Sequence, residues 1–290
     1  MSHTTAFLAG QGGRRIFWQA WTPEATARAV VVLVHGAGEH SGRYEHVAAR
    51  LVDEDYAVYA PDHRGHGRSE GPRALVDRLK NAVSDLDRLV VIAASEHPGV
   101  PVFMLGHSMG GTIAVVYALD HQDRLTGMIL SGPLAAIDAP APVRAAGRVL
   151  SMLAPRLPMI GVDPSLVSRD PEVVAAYRSD PLVHHGKLPA RTVAELAAAL
   201  GCFPDRAPEI TLPTLILYGS ADGLCPPRGS HLLGERIGTP DKTVKPYHGL
   251  YHEILNEPER EQVLDDICAW LAIRTSNRRP RPSPAQTGSR

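Results

Sequence analysis

Short β-branched runs, most of them nearly all-apolar, recur along the chain, separated by longer segments in which apolar residues return every three or four positions. The runs are AVVVLVHG (29–36), YAVYAPD (56–62), VPVFMLG (100–106), LTGMILSG (125–132), LPTLILYGS (212–220) and KTVKPYHG (242–249). A strand that is apolar on both sides must be covered on both sides, which is the situation of a parallel sheet between helical layers. The amphipathic segments 76–96, 228–237 and 258–273, the last entered through Pro258, predict helices that supply those layers. RRIFWQAW (14–21) alternates apolar with polar more regularly and predicts an antiparallel edge strand.

The rhythm breaks between Pro133 and Pro208. There, prolines recur among short helical stretches, and no strand-like run appears until TLPTLILYG restores the earlier pattern. This predicts a helical cap, residues 133–208, inserted into an α/β core made of residues 1–132 and 209–273. Beyond it, the Pro-, Ser- and Arg-rich end, 274–290, has no apolar periodicity and is expected to be disordered, because it cannot offset its own ordering entropy.

Composition narrows the classes of function. With 290 residues, of which 44% are hydrophobic, the chain can bury a large core. Thirty basic against 31 acidic residues leave a formal charge of −1, so no long-range field gathers nucleic acid, and no nucleic-acid partner is expected. The three cysteines, Cys202, Cys225 and Cys268, form neither a disulfide framework nor a metal knuckle, which fits a reducing compartment. No signal-peptide pattern and no membrane-length apolar run is present, so a cytoplasmic or peripheral location is expected.

Residues 102–111, VFMLGHSMGG, have the form strand, GxSxG, helix. Such a turn lifts the hydroxyl of Ser108 clear of the backbone at the carboxyl end of the strand. A serine hydroxyl is a poor nucleophile on its own and requires a base, which in turn requires an acid to orient it. Asp222 follows the run LPTLILYG, and His252 follows KTVKPYHG, giving the chain order Ser, Asp, His of the α/β-hydrolases. His248 is a competing base, but His252 lies farther past the strand end, where a loop can reach back over the sheet. Two backbone N–H groups are needed for the tetrahedral oxyanion, and Met109, after the serine, and Ala37, in the HGAG turn after the first apolar run, are placed to supply them. His63 and His66 have an H-x-x-H spacing without further ligands at zinc-site spacing, so they are read as part of a hydrogen-bonded loop and no metal is expected.

These residues resemble the monoacylglycerol lipases of the α/β-hydrolase superfamily. The resemblance runs from about Arg14 to Leu271 through HGAGEHSGRY (35–44), DHRGHGRSEG (62–71), GHSMGG (106–111), YRSDPL (177–182), GSADGLCPP (219–227) and GLYHEILNE (249–257). It implies an α/β-hydrolase fold, a mostly parallel central sheet with helices on both faces and a helical cap. It further implies a cofactor-free serine hydrolase that cleaves a monoacylglycerol to fatty acid and glycerol through an acyl-enzyme, with Ser108, Asp222 and His252 as triad. The resemblance places Gly36, Glu39 and Arg43 near the oxyanion turn, Tyr177 in the cap and Cys225 on the acid loop around the substrate, with transient contact between cap and lipid surface. Animal members carry a second histidine three residues beyond the catalytic one, where this chain has Leu255. The cap's apolar positions Val143, Val149, Leu150, Leu153, Leu157 and Ile160 either pack on the core or line an acyl channel. A lysophospholipase, a short-chain carboxylesterase and, from another class, a non-catalytic ligand-binding protein of the same fold are the alternatives.

Overall fold

A computed structural model of the chain describes residues 1–136 and 141–276, the side chains of 141–144 excepted. The elements, in chain order, begin with β1 (Ser2–Ala9), β2 (Arg15–Thr22), β3 (Ala29–Val34), α1 (Glu45–Val52), β4 (Tyr56–Pro61), α2 (Leu79–Glu96), β5 (Val102–His107), α3 (Met109–His121) and β6 (Gly127–Ser131). They continue with α4 (Ala141–Leu153), β7 (Pro158–Ile160), α5 (Pro171–Ser179), β8 (Leu188–Pro189), α6 (Ala190–Arg206), β9 (Thr214–Gly219), α7 (Pro227–Arg236), β10 (Lys242–Tyr247) and α8 (Arg260–Ser276). The main sheet runs β1-β2-β4-β3-β5-β6-β9-β10, antiparallel at the first two pairings and parallel from β4 onward.

Successive residues of the inner parallel strands enter different cores. Val30, Val32 and Val34 of β3 face a cluster built with α2, α3 and α6, while Ala29, Val31 and Leu33 face α1 and α8. Both faces are thus dry, which is why β3, β4, β5 and β6 carry almost no polar side chain.

Three expectations need correction. RRIFWQAW is antiparallel, as β2, but it is not the edge: β1 lies outside it, paired from Ser2↔Thr22 to Ala9↔Arg15. Most of β1 is exposed, so its sequence carries little alternation, and its position is fixed through contacts such as Phe7 edge-on to Phe17. The stretch between β6 and β9 contains a small antiparallel pair, β7 with β8, where none was expected. At the end, α8 continues to Ser276, beyond the expected start of disorder, because Arg274 lies over the Trp270 ring at 4.0 Å and pairs with Asp241. The rest of the expected disordered end, 277–290, lies outside the described residues.

The chain leaves the sheet after β6 and returns to it at β9. Within that excursion α6 packs on α3, α2 and α4, and its Leu196, Leu200 and Phe203 join the main core. The segment around α5 is tied instead to the loops at the carboxyl ends of the strands. His184 N–H donates to the Gly38 carbonyl at 2.7 Å, Glu253 N–H donates to the Val167 carbonyl at 2.8 Å, and His40 Nε2 meets Asp180 Oδ2 at 2.8 Å. These bonds hold α5 over the end of the sheet where β3, β5, β9 and β10 deliver their loops.

Candidate active site

Ser108 stands at φ 54°, ψ −120°, in a backbone region that non-glycine residues seldom occupy. The sequence makes this turn possible on either side. A Cβ on Gly110 would come within 2.0 Å of the Val34 carbonyl oxygen, and one on Gly106 within 2.6 Å of the Gly110 carbonyl oxygen. Glycine at both positions therefore lets α3 start against β3, and the serine between them is pushed off the sheet edge.

Asp222, on the loop after β9, is held by the backbone: its Oδ1 accepts from Leu224 N–H and Cys225 N–H, each at 2.8 Å. Its Oδ2 lies 2.7 Å from His252 Nδ1. That bond assigns the proton to Nδ1 and turns Nε2 toward the serine side, where it can take a proton. Burial disfavours the charged imidazole of His252, but the neighbouring Cys225 and Asp222 outweigh it and hold the His252 pKa well above the ordinary histidine value. The ring of His107, 4.7 Å from that of His252, is driven the other way, to about 4, by burial and then by His252 itself. Cys225 Sγ lies 3.8 Å from Ser108 Oγ and 4.0 Å from His252 Nε2.

The turn HGAG after β3 is fastened from below. Glu39, buried, accepts Gly36 N–H at 2.6 Å and the Tyr44 hydroxyl at 2.7 Å on one oxygen, and Arg43 at 2.8 Å on the other. Arg43 reaches on to Glu253 in a bidentate pair, at 2.7 and 2.8 Å, with the Tyr177 ring 4.7 Å from its guanidinium. The loop of His63 and His66 forms the floor. The His63 backbone N–H donates to His35 Nε2 at 2.9 Å, and Asp62 accepts Ser41 N–H at 2.8 Å, so the loop braces the turn through the His63 backbone and the Asp62 carboxylate. Among the described residues no cluster of three or more His, Cys, Asp or Glu is arranged to hold a metal ion.

A cavity of about 340 Å³ opens over Ser108. Gly36, Ala37, Glu39, Ser108, Met109, Tyr177, Cys225 and His252 all border it, whereas Asp222 sits behind His252 and Arg43 behind the two glutamates. His248 is exposed on the turn after β10. Of the cap positions named above, Ile160 reaches the cavity. Val149, Leu153 and Leu157 are exposed, Leu150 is half-buried, and the side chain of Val143 lies outside the described residues. The apolar wall comes instead from Leu134, Val162, Val167, Leu188, Val193 and Leu196. Sequence reasoning missed these, and it missed Glu253 and His107 as well. The signal for Glu253 was present: a charge between His252 and a buried Ile254-Leu255 pair requires a partner, and Arg43 is that partner. Leu255 itself packs in the core under α8.

A doubly covered parallel sheet with a positive-φ serine at the start of the helix after β5 defines an α/β-hydrolase. Residues 25–259 match the family described as serine aminopeptidase, S33. The chain is 49% identical to a monoacylglycerol lipase of Mycolicibacterium smegmatis over 91% of this chain and 95% of that one. It is 38% identical to the human monoglyceride lipase over 93% and 90% of the two chains. The crystal structure of a Paleococcus ferrophilus monoacylglycerol lipase superposes with a TM-score of 0.79 at 33% identity, covering 94% of this chain and all of that one. The chain belongs to the monoacylglycerol lipase family.

Proposed function

We propose that this protein hydrolyses monoacylglycerols to free fatty acid and glycerol, with Ser108 as nucleophile, His252 as base and Asp222 as its orienting acid. The observation that carries the reading is a cavity lined mostly by apolar side chains, with Glu39 and Glu253 grouped around Arg43 on its border and Ser108 opening into it from a strained turn. At about 340 Å³ it lies near the small end of the range of ~300–1,000 Å³ found for ligand pockets, a space for one acyl chain rather than three.

In this reading Ser108 Oγ attacks the ester carbonyl as His252 Nε2 takes its proton. The Ala37 and Met109 N–H groups receive the oxyanion, each contributing about 3 kcal/mol of barrier lowering by analogy with removed oxyanion donors. His252 protonates the departing glyceroxide, then draws a proton from water as the acyl-enzyme is hydrolysed. Glu39, by holding Gly36 N–H, fixes the turn that presents Ala37. No cofactor enters any step.

The residues from 133 to 208 act as the cap of this cavity. Val149, Met152, Leu153, Leu157, Met159 and Ile160 are exposed from α4 to β7, and Ile160 also lines the cavity. Exposed apolar side chains on a segment that reaches a lipid site are suited to rest on a lipid surface and admit substrate from it. Among the described residues no helix is long and apolar enough to cross a membrane, so the contact is peripheral in this reading.

The test is a rate comparison across mono-, di- and triacylglycerols and lysophospholipids of equal chain length. Monoacylglycerol is expected to be cleaved at least tenfold faster than triacylglycerol, whose extra chains compete for the same walls. Equal rates on both would show an open groove and overturn the assignment.

Cys225 gives a separate prediction. Its sulfur lies beside both Ser108 and His252, so a maleimide on it occupies leaving-group space and blocks turnover. Cys225→Ser is expected to keep most of the activity, because no step uses sulfur, and to resist the reagent. Equal inhibition of wild type and variant would assign the effect to the exposed Cys202 or to Cys268.

A further inference from the structure

The polar end of the cavity carries more acid than base. Among the described residues lining it, Glu39 and Glu253 are carboxylates and none is lysine or arginine. The guanidinium of Arg43 lies behind them and is turned toward them: Nη1 serves Glu39 Oε2 and Glu253 Oε1, Nη2 serves Glu253 Oε2, and its face is covered by Tyr177. Two carboxylates share one guanidinium, which leaves an excess of one negative charge in a buried cluster. Asp222 and His252 do not offset it. They cancel one another when the imidazole is charged and add a second negative charge when it is neutral. His107, the remaining ring at this end, is kept uncharged at neutral pH by burial.

The consequence for a substrate depends on its head group. Glycerol hydroxyls are uncharged donors, and carboxylate oxygens accept from them. A phosphate in the same space brings negative charge toward negative charge, with no lysine or arginine among the described lining residues to receive it. Like charges ~5 Å apart, at an effective dielectric constant near 20, repel strongly enough to alter a rate on the order of a hundredfold.

We propose that Glu253, together with Glu39, is a specificity-determining residue that makes the leaving-group end of the cavity reject acyl esters with a phosphate-bearing head group and accept uncharged polyol head groups. The inference rests on the monoacylglycerol reading and adds to it a charge filter. Glu253 is the member whose alteration exposes the filter most cleanly. It makes its contacts through the side chain to Arg43 and Asn256 and through the backbone to Val167 and Asn256, and Glu253→Gln keeps the side chain's shape and its backbone bonds.

The experiment measures kcat/KM for 1-oleoylglycerol, for the corresponding oleoyl lysophosphatidate, and for the dimethyl ester of that lysophosphatidate, which keeps the bulk of the phosphate without its charge. The substrates are presented in micelles of an uncharged surfactant to wild type, Glu253→Gln and Glu39→Gln. Wild type is expected to favour oleoylglycerol over lysophosphatidate a hundredfold or more. At least one Gln variant is expected to narrow that ratio tenfold or more, while the ratio of oleoylglycerol to the dimethyl ester stays within about twofold. Damage to folding or to the oxyanion turn lowers all three rates together and leaves the ratios alone, so the ratios read the charge. If both variants keep the wild-type ratio, or if wild type discriminates equally against the uncharged dimethyl ester, the filter is steric and the inference is overturned while the activity stands. A wild type inert on oleoylglycerol overturns the proposed activity itself.

Discussion

Replacing Ser108 by alanine is expected to lower kcat by about five to six orders of magnitude, and His252→Ala to do nearly the same. The two side chains have no independent work. The hydroxyl is unreactive without a base, and the base has nothing to activate without the hydroxyl, so the double variant is expected to be scarcely worse than either single one. Neither change should unfold the protein. Ser108 holds its neighbours through the backbone, its carbonyl accepting Thr112 N–H and Leu134 N–H, and alanine preserves those bonds. The measurement is single-turnover and steady-state hydrolysis of a monoacylglycerol by the three variants, with thermal melting as the control. Losses that add on a logarithmic scale would show that serine and histidine act in separate processes.

Asp222→Asn is expected to cost about ten-thousandfold in kcat, again with little change in fold. The carboxylate accepts from Leu224 N–H and Cys225 N–H on one oxygen and faces His252 Nδ1 with the other. An asparagine retains the loop through its oxygen but points an amide N–H at Nδ1, which forces the imidazole into the tautomer whose Nε2 carries a hydrogen and cannot take one from Ser108. The same pair governs the pH profile. A base must be neutral to act, and the His252 pKa is held above the ordinary value, so wild-type kcat/KM is expected to rise with pH through an apparent pKa above 6.5. Asp222 is one source of that elevation, so the residual activity of the asparagine variant should reach its plateau at lower pH. An acid limb below 6.5 in wild type, or one unmoved in the variant, would contradict the assigned pairing.

The parallel strands β3, β4, β5, β6 and β9 were legible because each is covered on both faces, and burial of that kind leaves continuous runs such as AVVVLV and TLILYG. The elbow was legible for a different reason. The close approach of α3 to β3 tolerates no side chain at Gly106 or Gly110, so the geometry is written directly into GxSxG. What escaped had a common property: its meaning depends on residues far away in the chain. β1 is mostly exposed and shows itself through β2. The cavity wall draws on Leu134, Val167, Leu188 and Leu196, each of which could equally have been core. Val149 and Leu153 have the spacing of a buried helical face and are exposed. Glu253 lies more than two hundred positions from Glu39 and Arg43, and although the resemblance places those two near the turn after β3, nothing local in the sequence says that Arg43 is the partner of Glu253. Their burial together lets them hold the HGAG turn after β3 beside the loop of His252.

The central claim is that one serine, Ser108, carries every turnover. An alkyl fluorophosphonate reports on it directly, because the reagent captures the activated hydroxyl and leaves a stable adduct. Intact mass and peptide mapping are expected to give one adduct per chain, on Ser108, with monoacylglycerol hydrolysis falling in proportion to the fraction labelled. An adduct on another residue, or hydrolysis that persists in fully labelled protein, would contradict the claim.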